Sequence, residues 1–111
     1  MANALTQKPI VIDTDITSFR TASGYLQGVR VTKLILAVGA GAASVAGNVA
    51  ITAPSDNAVL YPPLLVAGSQ AALTVLFSDE PTDAKGSLTW RDFAVTGVTA
   101  TKTILYLWGD V

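Results

Sequence analysis

The sequence predicts an all-β fold: a small antiparallel β-sandwich, or a jelly-roll-like barrel, of about seven strands. Three observations lead there. Short apolar, β-branched runs recur along the whole chain, several with residue-by-residue alternation. Turn chemistry separates them at intervals of roughly 8–12 residues. The one stretch with a helical option, residues 39–48, carries Gly39, Gly41 and Gly47, each costing a helix about 1 kcal/mol against Ala.

In chain order, residues 1–8 are small or polar and are expected as a flexible N-terminal arm, with residues 9–111 forming a single domain. Pro9–Ile16 is the first strand, with Ile10, Ile12, Thr14 and Ile16 on one face. Residues 17–28 read as a loop, with a turn at Ser23-Gly24. Val29–Val38 is the organising strand: Val29, Val31 and Lys33 alternate with Arg30, Thr32 and Leu34, and from Leu34 onward both faces are apolar, the pattern of a strand buried on two sides. A Gly/Ala/Ser loop leads to Asn48–Ala53, with Val49 and Ile51 on one face. Pro54-Ser55-Asp56-Asn57 is a turn, because Asp and Asn bond their own backbone. Ala58–Tyr61 returns as a strand that ends, or lies at an edge, where Pro62 and Pro63 lack an N–H. Leu64–Gln70 is expected to cross over. Ala71–Ser78 follows with Leu73, Val75 and Phe77 on one face, then the polar loop 79–87. Leu88–Val95 and Lys102–Trp108 are the last strands; in the latter Thr103, Leu105 and Leu107 oppose Ile104, Tyr106 and Trp108.

Composition narrows the function. The chain has neither histidine nor cysteine, which removes the usual general base near neutral pH, the thiolate nucleophile and the commonest metal ligands. No G-x-S-x-G elbow is present. The seven basic residues are scattered singly and the net charge is −1, so no basic face is set out for phosphates, and no nucleic-acid partner is expected. Charged residues make up 14% of the chain, against about 25% in an average soluble domain. Either the chain buries an unusual share of its surface or a partner covers part of it, and oligomerisation is the simplest explanation. The first fifteen residues lack the basic and apolar regions of a signal peptide.

Several motifs invite a chemical reading. Gly39-x-Gly41-x-x-Ser44 after a strand resembles a dinucleotide fingerprint, but its last glycine is replaced and Gly47 and Pro54 interrupt the helix it needs. Leu34–Ala53 is charge-free and long enough to span a bilayer, yet its centre is Gly/Ala/Ser, so a buried hairpin is expected and no membrane. Asp13 and Asp15 share a strand face and could share a cation; Asp79, Glu80 and Asp83 form an acidic loop; neither has a full ligand set, so no metal and no cofactor is expected. Arg91-Asp92 is expected as a surface or interface ion pair. Trp90, Phe93, Tyr106 and Trp108 are the candidate interface anchors, because aromatics dominate interface energetics.

The same residues carry a resemblance. An N-terminal strand precedes a lysine-bearing hydrophobic strand (Val31, Lys33, Ile35, Val38) and a small-residue loop. A hairpin follows (Val49, Ile51, Asp56, Val59, Leu60), then Trp90-x-Asp92 running to Val95 and Val98, and a closing Lys102-x-Ile104-x-Tyr106-x-Trp108. This order resembles the small all-β structural proteins of tailed bacteriophage virions, of the capsid decoration or cement type. It departs from them at Pro54 and Phe93, where a turn glycine is the pattern. The resemblance implies a virion protein on the capsid surface, made in the host cytoplasm, without enzymatic activity. Its partners would be the major capsid protein and itself, as a homo-oligomer and possibly a trimer. The alternatives are a β-sandwich binding a carbohydrate or surface ligand through an aromatic face and the loops at 17–28 and 79–87, or a tail or neck structural protein.

Overall fold

A computed structural model of the chain describes residues 3–7, 9–24, 28–80 and 88–110. Its elements run β1 (Ile10–Ile12), α1 (Phe19–Ser23), β2 (Val29–Val38), β3 (Gly47–Thr52), β4 (Val59–Val66), β5 (Val75–Asp79), β6 (Leu88–Trp90), β7 (Ala94–Thr96), α2 (Val98–Thr101) and β8 (Thr103–Asp110). The strands form two antiparallel sheets packed face to face, so the chain is an all-β sandwich. The larger sheet has the order β1-β8-β2, and β5 and β6 follow one another along the far flank of β2. The smaller sheet runs β4-β3-β7.

β2 shows how the sequence sets the two faces. Val29 and Val31 are buried, and so are Leu34, Leu36 and Val38. Uninterrupted alternation would have placed Lys33 with the valines. Instead the pairing with β8 slips from Val31–Gly109 to Lys33–Trp108, a bulge that leaves Thr32 as the extra residue. The Thr32 hydroxyl donates to the Trp108 carbonyl at 3.2 Å. The slip turns Lys33 outward and Leu34 into the core. Gly109 makes room for it, since a Cβ there would collide with the Arg30 carbonyl oxygen. β8 has no such slip: Thr103, Leu105 and Leu107 point inward and Ile104, Tyr106 and Trp108 outward, as their alternation predicts.

Three expectations are corrected by the sheet geometry. Residues 88–95 are not one strand; the chain turns at Arg91-Asp92, so β6 belongs to the larger sheet and β7 to the smaller. β4 continues through Pro62-Pro63 to Val66 instead of crossing over. It is an edge strand, and the prolines sit where its register with β3 slips between Val49–Leu64 and Ile51–Tyr61, so their missing N–H groups are tolerated. Leu73, Val75 and Phe77 do not share a face. A slip from Leu36–Phe77 to Ala37–Val75 sends Phe77 toward Tyr61, while Leu73 and Val75 remain 71% and 58% exposed. The loops 17–28 and 96–101 contain the two short helices. Of the segment expected as an arm, Asn3–Leu5 lie along β1. Ala4 and Val11 exchange backbone hydrogen bonds at 2.8 and 2.9 Å, and the Asn3 side-chain oxygen accepts from the N–H groups of Asp13 and Thr14.

The core joins the inner faces of the two sheets, with Leu34, Leu36, Leu105 and Leu107 on one side and Val49, Ile51 and Val95 on the other. One end is closed by aromatic rings. Phe19 of α1 stacks on Phe93 with centroids 4.6 Å apart and 12° between planes, and Trp90 meets Phe93 edge-on at 5.3 Å. Burying each large apolar side chain contributes about 1.5–3 kcal/mol.

Candidate functional site

The outward face of the larger sheet is the feature the core does not consume. A solvated antiparallel face ordinarily alternates to polar residues. Here the cross-strand neighbours are Val11 beside Tyr106, Tyr106 beside Ile35, and Ile104 beside Ala37, with Val75 flanking Ala37. Of these, Ile35, Ala37, Val75 and Tyr106, together with Pro9, Val38, Leu73 and Trp108, line a shallow hollow of about 350 Å³. The Tyr106 and Trp108 rings lie 6.4 Å apart, tilted by 36°. The Lys33 ammonium sits 5.2 Å from the Trp108 ring centroid, an attraction between cation and ring face worth about 0.5–1 kcal/mol at an exposed site.

The four expected anchors divide. Tyr106 and Trp108 are half-buried on this outer face. Trp90 and Phe93 are 3% and 0% exposed in the aromatic end of the core, so the expectation that they anchor an interface is corrected: they have no surface to offer a partner. Sequence reasoning missed Ile35, Ala37 and Val75. The signal was present in Leu34–Val38, whose two apolar faces suggested burial on both sides; one face meets the core, and the other is this outward surface.

The remaining motifs serve the fold. Gly39-x-Gly41-x-x-Ser44 is followed by β3 and not by a helix, so no helix N-terminus is present to receive a pyrophosphate. Ser44 is buried; its hydroxyl donates to the Ala67 carbonyl at 2.6 Å and accepts from the Gln70 N–H at 2.9 Å, tying two loops together. A second depression, about 630 Å³, lies between Gly39–Ala42, Asp13 and Lys102. Asp13 and Asp15 have separate tasks. Asp13 accepts from the Thr14 hydroxyl, whereas Asp15 accepts the Thr99 N–H at 3.2 Å and caps α2, whose own N-cap is Gly97. Asp92 caps α1: its carboxylate accepts from the Ser18 hydroxyl at 2.8 Å and from the Arg20 N–H at 2.9 Å. Its interactions are therefore with a helix start, in place of the expected ion pair with Arg91. Among the described residues no three acidic side chains gather as a cation site. Asp83 and most of the loop 79–87 lie outside the described residues, as do residues 25–27. The charge-free run 34–53 is divided among β2, a loop and β3, and no helix among the described residues is long and apolar enough to cross a membrane.

One titratable group is displaced from its ordinary range. Tyr61, 8% exposed, donates its phenolic proton to Asp79 across the gap between β4 and β5. Burial, and then the Asp79 hydrogen bond and charge, push its pKa well upward.

Fold and site together define a β-sandwich with one apolar, aromatic outer face, an arrangement suited to binding another surface. No protein-family model, curated protein or solved structure matches the chain.

Proposed function

We propose that this protein is a structural component of a bacteriophage virion, a capsid decoration protein that stabilises the head by binding neighbouring capsid subunits through the outer face of its larger sheet. The observation that carries the reading is that face: Tyr106, Trp108, Ile35 and Val75 are set out side by side on rigid strands, at the surface, in a chain with 14% charged residues. The strand order resembling the phage decoration proteins supports it. Its partners in this reading are the major capsid protein and further copies of the chain, and its place is the capsid surface.

A glycan-binding module is the second reading, favoured by one observation. Two rings tilted by only 36° at 6.4 Å form a stacking platform. The hollow beside them is lined by Pro9, Ile35, Ala37 and Val75, which offer a sugar's hydroxyls no side-chain partner.

The deciding experiment measures solution mass by light scattering and binding to capsids lacking the protein, for the wild type and Trp108→Ala. The decoration reading expects capsid binding that falls at least tenfold in the variant. Unchanged mass and unchanged capsid affinity would sink it, and a tryptophan fluorescence response to a glycan panel would transfer the case to the second reading.

A further inference from the structure

We infer that the hollow on the outer face receives an amphipathic α-helix of about three turns from a different protein, oriented with a carboxylate or its carbonyl-bearing end at Lys33. The inference rests on the virion reading, within which it assigns this face to the capsid subunit and not to a second copy of the chain.

Dimensions come first. Four strand positions at about 4.8 Å spacing give a face roughly 14 Å wide, and the five residues from Lys33 to Ala37 run about 16 Å along it. A helix with its side chains is about 10–12 Å across, and three turns rise about 16 Å. One helix therefore lies lengthwise along the face, with the apolar side chains of one stripe entering the hollow. The same face projects only about 220 Å², roughly a quarter of the 800 Å² that each partner of a standard stable interface contributes. A self-complementary dimer through this face falls short of that size, whereas a lattice that engages many copies gains by multivalency.

Shape and charge point the same way. Two copies face to face would oppose one shallow hollow to another and leave the centre unfilled. Nor can this chain supply the helix from its described residues: α1 has five residues and α2 four, and the core takes their apolar side chains Phe19 and Val98. Lys33 lies beside the hollow, with its ammonium over Trp108, one of the hollow's lining residues. The negative end of a helix dipole, or an acidic side chain, complements it there. Apolar residues at helical spacing would meet Ile35, Tyr106 and Val75, the groove-binding mode in which i, i+3, i+4 and i+7 act as anchors.

The test places a benzophenone photo-crosslinker at position 106 in place of Tyr106, with a control at position 65 in place of Leu65, which is 82% exposed on the other sheet. Each protein is bound to capsids lacking the wild-type chain, irradiated and digested, and the joined peptides are sequenced. The expected product joins position 106 to a capsid-subunit segment with apolar residues at helical spacing. Lys33→Glu is expected to cut its yield severalfold while leaving the melting temperature unchanged. A cross-link from position 106 to a second copy of the chain, or to a segment of period two, overturns the inference. So does capsid binding with cross-links from position 65 alone, which would also move the capsid contact off this face; either outcome leaves the protein a capsid-binding component of the virion. Failure to bind capsids at all removes that reading and the inference with it.

Discussion

Two aromatic pairs close the last third of the chain, Trp90 with Phe93 and Tyr106 with Trp108, and they have opposite fates. Each lies in a short β-rich run with the same apolar content. The first pair spans a turn: Trp90 ends β6 in the larger sheet, Phe93 precedes β7 in the smaller, and both rings enter the gap between the sheets. The second pair stays on one straight strand, where residues 106 and 108 share the face opposite Leu105 and Leu107. An aromatic side chain therefore serves the core or the surface according to whether its strand changes sheets, and hydrophobicity alone does not decide it.

Removing the rings is the strongest way to break this contrast. Phe93→Ala should destabilise the fold by about 3–5 kcal/mol, because it opens a cavity beneath Phe19 and Trp90. Trp108→Ala should cost about 1 kcal/mol or less, as expected near the surface. Urea unfolding measures both, and equal losses would show that the outer pair is also structural. The turn that separates Trp90 from Phe93 gives the next largest effect. Asp92→Ala deprives α1 of the carboxylate held by Ser18 and Arg20 and should cost about 1–2 kcal/mol; Asp92→Asn, which keeps an acceptor oxygen, should recover part of it.

The smallest effect concerns a third aromatic, Tyr61, which joins the sheets through Asp79. Burial and the carboxylate raise its folded-state pKa above the ordinary value of 10.0. The folded protein therefore holds a proton that the unfolded chain releases above about pH 10. The corresponding stability is complete below that pH and is lost as pH rises past it. Tyr61→Phe should flatten the alkaline fall of the urea midpoint; an unchanged slope would place the titration elsewhere.

Much of the fold was legible because period-two alternation is a direct imprint of a half-buried strand. Ile10 and Ile12, Val49 and Ile51, and Leu105 and Leu107 all face the core as their spacing indicates. The misreadings cluster where backbone pairing overrides spacing: the bulge at Thr32, the slip beside Ala37 and the sheet change at Arg91-Asp92. Phe19 was hidden for a different reason. A five-residue helix carries too few residues to show a period, and Asp92, which braces its N-cap Ser18, lies 74 positions away in the chain. The outer face was half legible, since Leu34–Val38 announced two apolar sides without saying that one of them meets no part of the core.

The bulge in β2 has a consequence for descent. Without Thr32, the remaining residues from Val29 to Leu36 alternate between core and outer face, so the strand carries an extra residue relative to an unbroken one. Gly109 stands opposite the insertion and is the residue that lets the two backbones close on each other. The two should travel together through evolution: kin that lack the extra threonine are free to carry a side chain at the glycine, and kin that keep it are not.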